Sequence, residues 1–291
     1  MNSNAPWRQL SQAELDTQYN ARATVSDIET ELKAYRDLSL PMYEQLHCLR
    51  AMSYGNHPDE TLDLFPVPGK PDAPLFVFIH GGYWRALTTQ DSVFMAQQLV
   101  SQGIAVASIN YTLSPAASLS HIVAQCEQAL AWLHHQAPQH GVRASQAVVA
   151  GSSAGGHLAA MLMTPDCLKR HNIQPAWLTG GILVSGLFDL APIQRTLPNA
   201  WLQLTDDDVQ QLSPMQHLPD PNMGVHIVFA EKDTAEFKRQ STDFAEVCKS
   251  NGNSVSVYEV ANTNHFNIIL DWMKADSPLS QSLHQLFDSA S

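Results

Sequence analysis

Ser153 stands in the run Gly151-Ser152-Ser153-Ala154-Gly155-Gly156. Residues 146–150 (Gln-Ala-Val-Val-Ala) directly before it read as a short buried strand, and residues 154–163 directly after it as a helix. A serine on a sharp strand-to-helix turn holds its hydroxyl clear of the backbone. Glycines on either side remove the Cβ atoms that so tight a turn would bring into collision. The start of the helix adds unpaired N–H groups and the positive end of a dipole, both of which favour a developing oxyanion. The chemistry this implies is nucleophilic attack by Ser153 on an acyl carbon, with the Ala154 N–H as one oxyanion donor. Ser152 is the neighbouring hydroxyl, off register for the attacking position and a candidate for the pocket wall.

A serine hydroxyl is a weak nucleophile near neutral pH and needs a base beside it. Downstream of Ser153, Asp233 follows the apolar run 225–230 and His265 follows the run 254–260. Each lies where a strand's carboxyl end would deliver it, in the order Ser, acid, His. Glu231 and Glu236 compete with Asp233 for the acid position; Glu231 is closer to the strand, and Glu236 falls within the next helix. Of the 13 histidines, His284 alone follows His265, within an apparent terminal helix. His157, one turn into the helix after Ser153, reads as a buried, hydrogen-bonded side chain. Phe266, next to His265, is a candidate substrate contact.

His80-Gly81-Gly82-Tyr83-Trp84 follows a further apolar run, residues 75–79. Two glycines let the backbone approach a substrate closely, so the N–H groups of Gly82 and Tyr83 are expected to join that of Ala154 around the oxyanion. His80 is expected to brace the loop. Tyr83 and Trp84 put two large aromatics beside the oxyanion position, and Trp84 is expected to form a flat substrate wall. There is no H-E-x-x-H, Cys/His cluster, G-x-G-x-x-G or phosphate-binding loop, so neither a metal nor another cofactor is expected.

These residues need elements to position them. Residues 61–65 alternate like a half-buried strand. Residues 75–79, 104–109, 146–150, 181–185, 225–230 and 254–260 read as strands, and residues 119–135, 154–163, 235–250 and a stretch after His265 as helices. Strands alternating with helices predict a doubly wound, mostly parallel sheet covered on both faces, with the chemistry beyond the strands' carboxyl ends. With the glycine-flanked serine, this is the α/β-hydrolase fold, expected as one domain over residues 1–291. Residues 9–52 read as helical and polar. They make an N-terminal extension, to about residue 55, that is a candidate cap over the site.

The formal net charge of -12 argues against a nucleic-acid partner, whose phosphates need a basic face, and against anionic membranes. No run of about 18 apolar residues is present, and residues 1–20 lack a basic segment followed by an apolar one. Cys48, Cys126, Cys167 and Cys248 are scattered and read as reduced thiols. A cytoplasmic enzyme with a small-molecule substrate is expected, and a homodimer is compatible with these features.

The motifs resemble those of the kynurenine formamidase (arylformamidase) family of α/β-hydrolases. His80-Gly-Gly-Tyr-Trp84 resembles its HGGYW signature, and Gln18-Tyr-Asn-Ala-Arg22 its N-terminal Y-N-x-R segment. Ser153-Ala-Gly-Gly-His-Leu158, the stretch from Glu231 to Ser241 and Asn264-His265-Phe266 resemble its nucleophile, acid and histidine segments. The resemblance spans almost the whole chain. It implies Ser153, Asp233 and His265 as a triad, no cofactor, and hydrolysis of an N-formyl aryl amide such as N-formylkynurenine. Where the family often has histidine before the nucleophile, this chain has Ser152, which bears on the pocket wall. Relatives of the family also cleave simple esters and other amides.

Overall fold

In the computed structural model, which describes residues 6–289, eight strands form a single sheet in the order β1-β2-β4-β3-β5-β6-β7-β8. The strands are β1 (Leu49–Ser53), β2 (Thr61–Phe65), β3 (Leu75–Ile79), β4 (Ala105–Ile109), β5 (Ala147–Ser152), β6 (Leu178–Val184), β7 (Gly224–Ala230) and β8 (Ser254–Val260). From β4 to β8 every pairing is parallel, while β1 and β2 run antiparallel at one edge. β3, β4 and β5 are buried along their whole length. That is why their sequences are continuous apolar runs rather than alternating ones. Each fully buried Val, Leu, Ile or Phe here contributes about 1.5–3 kcal/mol relative to exposure.

Helices cover both faces. Leu119–His135, Ala154–Leu162 and Ala235–Asn251 pack with the first core cluster, and Pro278–Asp288 closes the second, against Phe76, Val148 and Ile182. Gly180 and Gly224 let that last helix approach closely: a Cβ on either would come within 2.8 Å or 2.3 Å of Leu286 Cδ2. No helix among the described residues is long and apolar enough to cross a membrane.

The extension departs from the expectation of helix throughout residues 9–52. Helices occupy Gln12–Gln18, Ile28–Ser39 and Met42–Gln45, but Leu49–Ser53 is strand β1. Asp63 on β2 holds it there, accepting the Ala51 N–H at 2.7 Å and the Tyr43 hydroxyl at 2.6 Å. Edge pairing thus ends the helical stretch short of residue 52. The strand expected over 181–185 is also displaced: β6 ends at Val184, and Ser185 leaves the sheet with φ 45°.

Candidate active site

Ser153 sits at the N-cap of Ala154–Leu162 with φ 56° and ψ -117°, a conformation that L-residues rarely adopt. Its neighbours explain how the turn is tolerated. A Cβ on Gly151 would lie 2.1 Å from the Gly155 carbonyl oxygen, and one on Gly155 would lie 2.0 Å from the Ile79 carbonyl oxygen. The glycines are therefore required by backbone packed on backbone, and β3 is part of what presses on the turn. Ser152 ends β5, and both serines line one cavity of about 650 Å³.

The loop after β3 lies against this turn. A Cβ on Gly81 would meet the Ser152 carbonyl oxygen at 2.6 Å. Gly82, Tyr83 and Trp84 all have positive φ, so the chain doubles back and the N–H groups of Arg85 and Ala86 bond to the Gly82 carbonyl. Among the described residues, the N–H groups of Gly82, Tyr83 and Ala154 have no hydrogen-bond partner, and Gly82 and Tyr83 line the cavity. His80 braces the loop: Nδ1 lies 3.0 Å from the Gly81 carbonyl, and the ring stacks on Tyr111 at 4.3 Å. Burial pushes its pKa down to about 4, which keeps it neutral.

Asp233, after β7, and His265, after β8, meet. His265 Nδ1 lies 2.6 Å from Asp233 Oδ1, and both side chains are buried. The second Asp233 oxygen accepts the Ser185 hydroxyl at 2.5 Å and the Ala230 N–H at 2.9 Å. Burial alone would raise the Asp233 pKa. The His265 charge, its hydrogen bond and those from Ser185 and Ala230 outweigh it, so the carboxyl sits below its ordinary value. The two competing acids are engaged elsewhere. Glu236 accepts from the Tyr19 hydroxyl and Arg239, and Glu231 accepts the Asn262 N–H. Ser153 and His265 line the same cavity. Ser153 Oγ has no hydrogen-bond partner among the described residues.

One sequence expectation is corrected. Trp84 does not line the cavity; it is fully buried and meets His157 edge to face at 5.1 Å. The positive φ of residues 82–84 turns its side chain into the core, where it packs the loop onto the helix after Ser153. The flat aromatic wall comes instead from Trp201, whose Nε1 donates to the Tyr83 carbonyl at 3.1 Å. Phe266 does line the cavity, beside His265. His157 bonds through Nε2 to the Leu212 carbonyl at 2.7 Å.

The N-terminal extension supplies much of the remaining wall, including Tyr19, Arg22, Leu32 and Tyr35. It is fastened to the loops that carry Asp233 and His265. Thr234 donates to the Gln18 carbonyl at 2.5 Å, Tyr35 to the Phe266 carbonyl at 2.6 Å and Asn264 to Glu31 at 2.8 Å. The Tyr83 hydroxyl donates to the Tyr19 carbonyl at 2.5 Å. Sequence spacing gives no role to Ser185 or Trp201, and Tyr19 enters only within the segment of residues 18–22. The position of Ser185 at the carboxyl end of a strand could have drawn attention to it, by the rule that picked out Asp233 and His265. Trp201 has no such local signal. Among the described residues, no three His, Cys, Asp or Glu side chains converge as metal ligands would.

The BD-FAE family profile matches residues 62–174. A kynurenine formamidase of Salmo salar is 31% identical over 290 residues, covering 95% of this chain and 97% of that protein. One of Danio rerio is 30% identical over 275 residues, covering 90% and 92%. A crystal structure from a Silicibacter species, described as a provisional thioesterase, superposes with a TM-score of 0.80 at 26% identity, covering 93% of this chain and 99% of that one.

Proposed function

The chain belongs to the kynurenine formamidase family of α/β-hydrolases, and on that premise we propose that it hydrolyses a small N-formyl aryl amide, N-formylkynurenine-like, to the free amine and formate. That it is a hydrolase of a small amide or ester follows from its relatives. The finer reading assigns Ser153 as nucleophile, His265 as base and Asp233 as the group that orients His265. The observation that carries it is the opening of Ser153 and His265 onto one cavity, with Asp233 bonded to the far side of the imidazole.

In this mechanism His265 Nε2 takes the Ser153 proton as Oγ attacks the formyl carbon. The carbonyl π electrons move onto oxygen, and the N–H groups of Gly82, Tyr83 and Ala154 hold the oxyanion. As the tetrahedral intermediate collapses, the C–N bond breaks and His265 delivers its proton to the departing amine. Water, deprotonated by His265, then attacks the formyl-Ser153 ester; the C–O bond to Ser153 breaks, His265 returns the proton to Ser153 Oγ, and formic acid leaves and ionises to formate. Asp233, bonded to Nδ1, keeps the proton-accepting nitrogen facing the serine and stabilises the imidazolium. An arylamine leaves more readily than an alkylamine, which suits an aromatic-walled cavity.

The test is a comparison of kcat/KM for formanilide and N-formylkynurenine against their acetyl counterparts and phenyl acetate. Formyl substrates are expected to lead their acetyl counterparts by at least about tenfold. Equal rates on formyl and acetyl amides, or turnover of esters alone, would replace this reading with that of a short-chain carboxylesterase using the same triad. The Silicibacter neighbour, described as a thioesterase and so as an enzyme acting on an acyl bond other than a formamide, favours that second reading.

A further inference from the structure

The cavity wall carries charge that this mechanism does not use. Arg22, in the turn Ala21–Thr24, and Arg85, just beyond the oxyanion loop, both line it. Neither guanidinium forms an ion pair or a hydrogen bond with another described residue; Arg85 only lies over the Trp201 ring, 4.7 Å from its centroid. Of the other seven arginines, Arg36, Arg170 and Arg239 pair with Asp91, Glu127 and Glu236, and Arg8, Arg50, Arg143 and Arg195, also without an ion pair among the described residues, lie outside the cavity lining. In a chain of net charge -12, two unpartnered arginines on one cavity wall run against the overall sign.

The two are also held in register. The Tyr83 hydroxyl bonds to the Tyr19 carbonyl, so the segment leading to Arg22 is pinned to the segment leading to Arg85. Arg85 N–H in turn closes on the Gly82 carbonyl, which fixes its distance along the chain from the oxyanion loop. The lining carries one carboxylate, Asp16, which accepts from the Leu197 N–H at 3.3 Å and Gln12 Nε2 at 3.2 Å. Two guanidinium groups and one carboxylate leave the wall with one net positive charge while His265 is neutral.

We propose that Arg22 and Arg85 form a subsite for a carboxylate carried by the substrate's leaving group. A single net positive charge matches a monoanion better than a dianionic phosphate, and the planar guanidinium fork matches a planar carboxylate. The proposal rests on the reading of this cavity as the place of acyl cleavage. It gives the N-terminal extension a part in selecting substrate, because Arg22 belongs to it. Both arginines are solvent-exposed, so the discrimination is moderate and weakens with salt.

The test uses matched substrates whose leaving groups end in a carboxylate or in the isosteric carboxamide, prepared as aryl formamides and as aryl acetates. At low salt the full-length enzyme is expected to favour the carboxylate by about tenfold in kcat/KM, mainly through KM, and less in 1 M NaCl. The double substitution Arg22→Gln and Arg85→Gln is expected to bring the ratio to within about twofold of unity. Arg22→Lys should keep part of the preference, and Arg143→Gln, outside the cavity lining, all of it. A carboxylate-to-carboxamide ratio near one in the unmodified enzyme, or an unchanged ratio in the double variant, overturns the subsite. The two series separate the claims. An Arg-dependent preference seen only with acetates, without formamide turnover, keeps the subsite and removes the formamidase reading. Formamide turnover without any preference does the reverse.

Discussion

Ser185 Oγ donates a 2.5 Å hydrogen bond to the Asp233 oxygen that faces away from His265, and both residues are buried. The bond crosses from the end of β6 to the loop after β7, so two adjacent strands fix the carboxylate plane and, through it, the imidazole. It is also one of the interactions that hold the Asp233 pKa below its ordinary value.

Removing it with Ser185→Ala should have two effects. A carboxyl with a depressed pKa stabilises the fold above its unfolded pKa, and that stabilisation is lost as pH falls through the folded value. Without the Ser185 hydroxyl the folded value rises, so acid unfolding, followed by circular dichroism, should begin at a higher pH. At neutral pH the cost is about 1–3 kcal/mol for a buried carboxylate that loses one donor. An unchanged acid-unfolding midpoint would show that Ser185 contributes nothing to the Asp233 carboxylate.

Ser153 should show activity opposing stability. Ser153→Ala is expected to lower kcat by about 10⁴–10⁶ while the chain stays folded. Ser153→Gly should be equally inactive but more stable by about 1 kcal/mol, because glycine accepts φ 56° without the strain a side chain carries. Thermal unfolding of the three proteins checks this. A glycine variant less stable than the alanine variant would argue against strain at the turn.

Gly155→Ala tests the packing that shapes the turn. Its Cβ would fall 2.0 Å from the Ile79 carbonyl oxygen and 2.7 Å from that of His80, both backbone atoms that cannot swing aside. Destabilisation of about 3 kcal/mol or more, or failure to accumulate as folded protein, is expected. Gly141→Ala makes the contrast, since nothing lies within 4 Å of its Cβ and only the φ of 84° is strained. Its cost in denaturant titration should be about 1 kcal/mol.

Trp84 is expected to act on stability rather than selectivity. Trp84→Phe should lower stability by about 1–3 kcal/mol through lost core volume. The ratio of formyl to acetyl turnover should change little, because the side chain faces His157 rather than the cavity. Trp201→Ala, which alters the cavity wall itself, should change KM for aromatic substrates several-fold. A selectivity change in Trp84→Phe as large as that in Trp201→Ala would restore Trp84 to the substrate wall.

The alternation of strand and helix and the turn around Ser153 were legible in the chain because both obey short-range rules. A strand buried on both faces must be an apolar run, and a turn pressed by backbone on both sides admits only glycine, within five consecutive residues. The carboxyl-end rule likewise brought Asp233 and His265 forward as candidates. Position favoured Asp233 over Glu231 and Glu236, but what engages each acid was not legible. It rests on contacts such as that of Tyr19 with Glu236, separated by 217 residues, and of Ser185 with Asp233, separated by 48.

The same distinction separates Trp84 from Trp201 and explains β1. Trp84 follows two glycines beside the expected oxyanion site, so proximity in sequence suggested a substrate wall. Three successive positive φ values turned the ring inward instead. Residues 49–52 fell at the end of a stretch expected to be helical, but the β2 edge and Asp63, which accepts the Ala51 N–H, make them a strand. Sequence spacing states which backbone conformations are affordable locally. Which way a side chain then points, and which charged groups are left facing the cavity, depends on surfaces supplied by distant segments, and those exist only once the chain has folded.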